Sequence, residues 1–237
     1  MSDREVKYPP SDVPGELGKP FRKALGWATK QHAGQHRKAK PDVPYVSHLL
    51  GVASLVLEAG GTETEAIAAL LHDVIEDTQV PDDEIRRRFG PRVVQIVRAC
   101  TDDLVAPGDD PEPPDGPPAL PRGAGDWHER KTTYLEKLRH EEDPSVLLVS
   151  GADKLHNARA IVADLRAEPP AWTPFNAPPL DQLSYYTSLR DALCDRLPRH
   201  LGRELRCAVD EIVLLTNLEV ESAAWHEAHP NEVLDDN

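Results

Sequence analysis

The stretch TETEAIAALLHDVIED, residues 62–77, decides the fold. It opens with a capping box, in which the Thr62 hydroxyl and the Glu65 carboxylate can each accept a hydrogen bond from a first-turn backbone amide. The aliphatic residues that follow recur at intervals of three and four, which predicts one apolar helix face. These residues are Ile67, Leu70, Leu71, Val74 and Ile75. We therefore predict one helix over 62–77 that packs against a core.

The opposite face of this helix has an unusual composition. It carries an imidazole and three carboxylates, His72, Asp73, Glu76 and Asp77, interleaved with Ala66 and Ala69. A solvated helix face usually carries lysine, arginine and charges of both signs. Carboxylates beside small residues suggest instead that another helix approaches closely, with a cation between the two. The pattern indicates a metal site.

A second helix, predicted over residues 144–166, carries a matching face. Asp143 and Pro144 suit its N-cap and its first position. Its apolar side holds Leu148, Ala152, Leu155 and Val162, and its other side holds Asp153, Asn157, Ala160 and Asp164. Alone, this face is equally consistent with exposed side chains that favour the helix dipole. Two such faces in one chain favour a metal held between helices.

Ligands of this mixed type restrict the metal and its chemistry. Imidazole with carboxylate suits Mn²⁺, Fe²⁺, Zn²⁺ or Co²⁺ better than Ca²⁺. Such an ion polarises a phosphoryl oxygen and lowers the pKa of a bound water, so that hydrolysis can run at neutral pH. A basic island lies in HAGQHRKAKPDVP, residues 32–44, and comprises His32, His36, Arg37, Lys38 and Lys40. We interpret this predicted loop as a phosphate contact; the alternative is solvated charge.

The overall charge restricts the partners of the chain. Its 27 Lys and Arg residues against 41 Asp and Glu residues give a net charge of -14, so we expect no binding to nucleic acid or to a membrane surface. The polar start predicts no secretion signal, and no apolar run approaches the ~20 residues of a membrane span. Three widely spaced cysteines indicate reduced thiols in a cytoplasmic protein. The sequence does not indicate the oligomeric state.

The rest of the chain is also predicted to be helical, so the fold class is all-α. A helical pattern starts at Pro20, and further helices are predicted over 45–59, 81–88, 91–102, 127–141, 180–197 and 199–218. We predict a single domain over 17–218, between an N-terminal tail (1–16) and an acidic C-terminal extension (219–237). A Pro/Gly-rich stretch over 105–126 is too long for an ordinary connection, and we predict a flexible insertion that acts as a lid, an interface arm or a disordered loop.

Four segments, in order, resemble the hydrolase domain of the RelA/SpoT alarmone family. They are HAGQHRKAKPDVPYVSHLLGVASLVLEAGG, AIAALLHDVIEDT, FGPRVVQIVRACTDD and SGADKLHNARAI. The resemblance covers roughly residues 22–165, and its motifs HD-x-x-ED and D-K-L-H-N are specific. No segment resembles the family's synthetase or regulatory domains. The resemblance therefore implies a stand-alone small alarmone hydrolase with an HD-domain helical bundle, which removes the 3′-pyrophosphate of ppGpp or pppGpp to give GDP or GTP.

The resemblance also implies roles for individual residues. The metal, usually Mn²⁺, is expected on His48, His72, Asp73 and Asp153. Glu76 and Asp77 are expected to position and deprotonate the attacking water or to protonate the leaving group; the alternative is that they only form salt bridges to neighbouring helices. Arg37 and Lys38 are expected at the substrate phosphates, and Asn157 at the nucleotide.

Departures from the family pattern leave alternatives open. Leu49 follows His48 where the family often has proline, and Ala160 stands where its hydrolases often carry a polar residue near the base. The substrate could instead be an adenosine alarmone or NADPH, and the domain could bind a nucleotide without catalysis. The presence of all four candidate ligands and of both carboxylates argues against the last alternative. We interpret His156 as structural.

Overall fold

The computed structural model describes residues 10–38, 40–78, 80–101, 124–167 and 178–228, without the side chains of 124–126 and 218–228. Its helices are α1 (Lys19–Gln31), α2 (Val46–Glu58), α3 (Glu63–Leu71), α4 (Val74–Asp77), α5 (Asp82–Phe89), α6 (Pro91–Cys100), α7 (Ala124–His140), α8 (Pro144–Ala167), α9 (Pro179–Leu193) and α10 (Arg199–Ala228). A short antiparallel hairpin, β1 (His36–Arg37) and β2 (Lys40–Pro44), joins α1 to α2. The predicted all-α fold class is confirmed. No helix in the described ranges is long and apolar enough to cross a membrane.

Two helices form the centre of the bundle. Helix α3 packs against α1, α2, α6 and α8, and α8 packs in addition against α2, α6, α9 and α10. Every residue of α8 from Val146 to Asp153 is buried, as expected for a helix surrounded by other helices. Gly151 allows one of these close contacts, because a Cβ there would lie 2.6 Å from Leu197 Cδ2. The helix that carries Asp153 is therefore held rigidly in the core.

The structure agrees with the predicted end of α2 and the predicted start of α3. Thr62 Oγ1 accepts a hydrogen bond from the Glu65 amide at 3.3 Å, and the Glu65 carboxylate accepts one from the Thr62 amide at 2.7 Å. Helix α2 ends just before Gly60, whose φ of 87° lies in the left-handed region that glycine adopts readily. The end of α2 and the capping box at Thr62 together determine the first residue of α3. They therefore also determine the position of its last turn, which precedes His72.

The segment before α1 is tied to α3 by one buried carboxylate. Glu63 accepts hydrogen bonds from the backbone amides of Ser11 at 2.8 Å, Gly18 at 2.6 Å and Phe21 at 3.1 Å. The Thr64 hydroxyl donates to Asp12 at 2.8 Å. The described part of the predicted N-terminal tail thus packs on the bundle.

The prediction of one continuous helix over 62–77 was wrong. Helix α3 ends at Leu71, α4 begins at Val74, and His72 and Asp73 form a turn between them. Both residues keep backbone angles in the α region, His72 with φ -58° and ψ -32° and Asp73 with φ -95° and ψ -4°, so the break in the helix is local. His72 Nε2 lies 2.9 Å from Asp73 Oδ2.

Four other predictions differ from the structure, and one of them is the helix predicted over 180–197, because α9 ends at Leu193. Residues 32–44 contain the hairpin, which the sequence does not reveal because its strands are exposed on both faces and show no alternation. Helix α10 continues to Ala228, beyond the predicted end at 218. Residues 124–126, assigned to the Pro/Gly-rich insertion, are the first turn of α7, and residues 105–123 lie outside the described residues.

Candidate metal centre and active site

Four side chains from three parts of the bundle meet at one point. His48 comes from α2, His72 and Asp73 from the turn between α3 and α4, and Asp153 from α8. His48 Nε2 lies 3.3 Å from His72 Nε2 and 3.5 Å from Asp73 Oδ2. Asp153 Oδ1 lies 3.2 Å from His48 Nε2 and 3.5 Å from His72 Nε2. The structure therefore brings together all four residues that the sequence predicts as ligands.

The spacing of these atoms fits a divalent cation. Ligand atoms about 2.1 Å from a cation, at tetrahedral or octahedral angles, lie about 3.0–3.4 Å from one another. The distances between neighbouring donors here run from 2.9 Å to 3.5 Å. His48, His72 and Asp73 could hold one ion with a donor atom each, all within 4.8 Å, and Asp153 contacts both imidazoles. Two imidazoles with two carboxylates are borderline donors that suit a transition metal.

Hydrogen bonds orient the donors. His72 Nδ1 donates to the Ala69 carbonyl at 2.8 Å, so that Nε2 is the ring nitrogen that faces the cluster and offers a lone pair once a cation displaces its proton. Asp153 Oδ1 also accepts a hydrogen bond from Asn157 Nδ2, and Asp153 Oδ2 accepts one from Lys154 Nζ, both at 2.7 Å. The Tyr45 hydroxyl donates to Asp73 Oδ2 at 2.5 Å. The donors are therefore held in place by their neighbours.

The charges within the cluster stabilise one another. Burial alone would lower the pKa of His72, but Asp73 and Asp153 raise it well above its ordinary value. Burial alone would raise the pKa of Asp73, but His72 and His48 hold it well below its usual range. The pKa of Asp153 is lowered similarly, because Lys154 and the imidazoles outweigh its burial. Both carboxylates are thus kept ionised, which is the form that binds a cation.

Glu76 and Asp77 lie one turn beyond this cluster, and their environments differ. Glu76 is half-buried and lines a cavity next to the cluster. Asp77 is exposed, and its Oδ2 accepts a hydrogen bond from Gln35 Nε2 at 2.7 Å. Although Asp77 is exposed at the surface, neighbouring residues partly desolvate its carboxyl group, and this desolvation together with the charge of Asp73 raises its pKa. A carboxylate with a raised pKa is suited to accept a proton near neutral pH.

The cavity has a volume of about 280 Å³ and is mostly basic and aromatic. Its cationic side chains are Arg37, Lys38, Lys40, Arg130, Lys131 and Lys154. Its aromatic side chains are Tyr45, Trp127, Tyr185 and Tyr186. Cations beside aromatic faces in one concave site suit a ligand that combines phosphates with a planar base.

All three predicted substrate residues line this cavity. Arg37 Nη2 donates to Asn157 Oδ1 at 3.0 Å, which connects the hairpin to α8. Asn157 in turn donates to Asp153, so that the cavity and the cluster of His48, His72, Asp73 and Asp153 share one hydrogen-bonded network. Lys38 is exposed in the hairpin turn.

A model of the HD domain family matches residues 24–172, more than half of the chain. The chain belongs to the HD-domain family. The human protein named guanosine-3′,5′-bis(diphosphate) 3′-pyrophosphohydrolase MESH1 is 34% identical to this HD-domain chain over 152 residues, covering 63% of this chain and 72% of that protein. The Brucella abortus protein named GTP pyrophosphokinase rsh is 33% identical over 170 residues, which are 68% of this chain but 19% of the relative.

A solved structure confirms the fold of this HD domain. It is described as that of a metazoan ortholog of SpoT that hydrolyses ppGpp, and it matches 83% of this chain and 95% of its own with a TM-score of 0.58 and 29% identity. The resemblance of the sequence to the RelA/SpoT hydrolases is thereby confirmed, as is the small size of the domain.

Sequence reasoning missed the far wall of the cavity in this HD domain. Helix α7 supplies Trp127, Arg130 and Lys131, and α9 supplies Tyr185 and Tyr186. The adjacent cations Arg130 and Lys131 in an acidic chain were an available signal. Periodicity could not reveal that α7 and α9 pack together beside the site, because it identifies the buried face of a helix and not its neighbour.

Proposed function

We propose that this HD domain hydrolyses the 3′-pyrophosphate of ppGpp and pppGpp, giving pyrophosphate and GDP or GTP. The main support for the proposal is the cluster of His48, His72, Asp73 and Asp153 (the His-Asp cluster), which lies beside a basic and aromatic cavity. Relatives that align with most of the domain are named for this reaction. The cluster accounts for hydrolysis, and the cavity accounts for a substrate that carries both phosphates and a base.

His48, His72, Asp73 and Asp153 are the proposed ligands of a divalent cation, for which we propose Mn²⁺. The support is the donor set and its spacing, which suit a transition metal better than Ca²⁺. When bound, the cation supplies Lewis acidity, which polarises a phosphoryl oxygen and makes an attacking water more acidic. The ionised carboxylates of Asp73 and Asp153 balance its charge.

Glu76 and Asp77 are proposed to handle protons. Both follow the turn that carries His72 and Asp73, so that they lie beside the cluster without belonging to it. Glu76 faces the cavity and can accept the proton of the attacking water or protonate the leaving oxygen. Gln35 holds the Asp77 carboxylate by a hydrogen bond and so limits its rotation.

Arg37, Lys38 and Asn157 are proposed to bind the substrate. Charge-assisted hydrogen bonds from Arg37 and Lys38 would neutralise phosphate oxygens. Asn157 contacts both Arg37 and Asp153, and it therefore sets the distance between the bound nucleotide and the cluster. Tyr185 and Tyr186 of α9 line the cavity, and an aromatic wall of this kind suits a planar base.

The test is a nucleotide panel with the purified, Mn²⁺-loaded protein. Equal concentrations of ppGpp, pppGpp, an adenosine alarmone and NADPH are incubated, and the products are separated by ion-exchange chromatography. We expect pyrophosphate with GDP or GTP from the guanosine substrates, and no product after chelation. Turnover of NADPH alone would favour the alternative substrate, and binding of all four without product would favour a non-catalytic module.

Asp153 provides the matched variant for this test. Asp153→Ala should lose metal and activity together, because its carboxylate is the ligand that α8 brings to the cluster. Since Lys154 donates to the same carboxylate, Asp153→Asn is included as a variant of equal size, and circular dichroism monitors the fold of both. Full metal content and normal turnover in either folded variant would contradict the assignment.

Three further assignments remain proposals. We propose a single domain over 17–218, supported by the packing of α10 on α8 and α9. We propose that no nucleic acid is bound, because the net charge is -14. A cytoplasmic location is supported by the cysteines Cys100, Cys194 and Cys207, which are free thiols.

A further inference from the structure

The two imidazoles of the His-Asp cluster, His48 and His72, donate hydrogen bonds to different kinds of acceptor. His72 Nδ1 donates to a backbone carbonyl, that of Ala69. His48 Nδ1 lies 2.9 Å from another imidazole nitrogen, Nδ1 of His156, and the centroids of these two rings are 4.8 Å apart. Of the two imidazoles, His48 is therefore the one whose orientation depends on a side chain.

The direction of the bond between the two imidazoles follows from the chemistry of the ring. Two ring nitrogens at 2.9 Å form a hydrogen bond only if one carries a proton and the other is bare. His48 Nε2 faces His72, Asp73 and Asp153, and as a metal ligand it must offer a lone pair. The proton of a neutral His48 then sits on Nδ1, which donates to His156 Nδ1. His156 consequently carries its own proton on Nε2.

The His156 ring packs directly against the backbone of α2 at Gly51. Gly51 lies one turn after His48 on the same helix. A Cβ at position 51 would lie 2.2 Å from His156 Cδ2 and 2.3 Å from His156 Nε2, so that any larger residue would displace the ring. Two independent features of α2, the Nδ1 of His48 and the missing side chain of Gly51, thus face His156.

We infer that His156 is a positioning residue, whose bare Nδ1 holds His48 in the tautomer and orientation that direct Nε2 to the cation. The inference rests on the metal site proposed above and assigns a role to a residue that the sequence suggested was structural. Helix α8 then contributes to the site three times within two turns, through Asp153 as a ligand, His156 as the orienting acceptor and Asn157 as a link to the cavity.

The experiment compares the Mn²⁺ dissociation constants of wild type, His156→Leu and His156→Asn by electron paramagnetic resonance titration. Leucine keeps the bulk but removes the acceptor, and it should weaken Mn²⁺ binding by about 10- to 100-fold. Asparagine places an acceptor oxygen near the position of Nδ1, and it should bind within about threefold of wild type, as expected for a restored hydrogen bond. Equal Mn²⁺ affinity of wild type and His156→Leu would overturn the inference.

Nitrogen NMR of the Zn²⁺-loaded protein with labelled histidine gives a second readout. His48 should carry its proton on Nδ1 in wild type and in His156→Asn. A His48 ring protonated on Nε2 in the wild type would overturn the inference, whatever the affinities. If the wild type binds neither Mn²⁺ nor Zn²⁺, both the metal site and the inference fail. Metal binding that is normal in wild type and unchanged in His156→Leu removes the inference alone.

Gly51→Ala tests the position of the His156 ring by a change on α2, the helix against which the ring packs. In wild type the added methyl should displace the His156 ring and weaken Mn²⁺ binding. In a His156→Ala background the ring is absent, so the same methyl group should cause little further loss of Mn²⁺ affinity. An equal loss in both backgrounds would show that Gly51 acts independently of His156 and would contradict the inference.

Discussion

At the scale of single residues, each side chain in the site has several partners at once. Asp153 lies against both imidazoles through one oxygen and accepts hydrogen bonds from Asn157 and Lys154. Rotating such a carboxylate would break contacts at both of its oxygens, so that it presents the same oxygen to the cluster. Glu76 and Asp77 differ from Asp153, because they lie outside the group of close donors and next to the cavity or the hairpin.

Glu76→Gln and Asp77→Asn test this division between ligands and proton carriers. Each change keeps the size of the side chain but removes a base, so we expect full metal content and a loss of about 10²–10⁴ in kcat. Metal content is measured by atomic emission and kcat by pyrophosphate release. Glu58→Gln, at the exposed end of α2, is the matched control and should leave both unchanged. Metal loss in both test variants would make the residues ligands, and unchanged rates would exclude them from the mechanism.

At the scale of elements, α8 depends on its N-terminal cap for its position. Asp143 accepts a hydrogen bond from the Ser145 amide at 3.0 Å and a bidentate pair from Arg92 of α6, at 2.5 Å and 2.8 Å. Arg92 also donates to the Ser145 hydroxyl at 2.9 Å. This connection joins the start of α8 to α6, and it therefore sets the position of the helix that carries Asp153 and Asn157.

We expect Asp143→Ala to lower the free energy of unfolding by about 1–3 kcal/mol, because it removes both a helix cap and a charge-assisted pair that is partly screened by solvent. The hydrogen bonds from Arg92 hold the pKa of Asp143 below its ordinary value of 3.8. The stabilisation that the ionised Asp143 carboxylate gives the folded state is therefore complete at neutral pH. It is lost as the pH falls below 3.8 toward the pKa of Asp143 in the folded protein. Urea unfolding of the metal-free protein at several pH values measures it. Asp195→Ala, which removes an exposed partner of Arg206, is the control and should change stability little.

The hairpin is the second element whose function can be tested separately. Changing both Arg37 and Lys38 to alanine should raise KM by about 10- to 100-fold per lost phosphate contact, equivalent to ~1.5–3 kcal/mol each. Metal content should stay the same, because neither side chain contacts the His-Asp cluster directly. Changing both Arg203 and Arg206 of α10 to alanine removes the same number of positive charges from an exposed helix and is the control. If KM is unchanged in the double variant, the hairpin cations are merely solvated.

At the scale of the whole molecule, a basic cavity lies in an acidic protein. The net charge is -14, yet the side chains that line the cavity include Arg37, Lys38, Arg130 and Lys131. Charges that touch a bound phosphate act over a few ångströms, whereas most acidic residues are farther away and are screened by salt. Binding should therefore follow the local charge and not the net charge.

We expect KM to rise several-fold, with little change in kcat, when the ionic strength increases from about 0.1 M to about 1 M. The Debye length falls over this range from about 10 Å to about 3 Å, which weakens the attraction between the phosphates and the cavity cations. Steady-state kinetics at constant metal concentration measure the effect. The KM of the variant that lacks Arg37 and Lys38 should depend less strongly on ionic strength. A KM that falls with salt would mean that repulsion by the net charge dominates.

The sequence by itself determined the class of the fold, and it predicted the chemistry of the site. Helical periodicity, the capping box at Thr62 and the glycine at position 60 identify α2 and α3, because these signals arise from interactions within a few residues. The composition of two helix faces indicated a metal, and the motifs around His72 and Asp153 indicated a hydrolase. The structure brings together all four residues predicted as ligands.

Only the tertiary structure decided how these parts are arranged. The helix breaks at His72 and Asp73, and no local signal distinguishes this break from a regular helix. The wall formed by α7 and α9 and the contact between His156 and His48 join residues far apart in sequence. Such contacts depend on which helix packs beside which. That choice is made by the burial of complementary faces in the whole bundle, and the pattern of a single segment does not contain it.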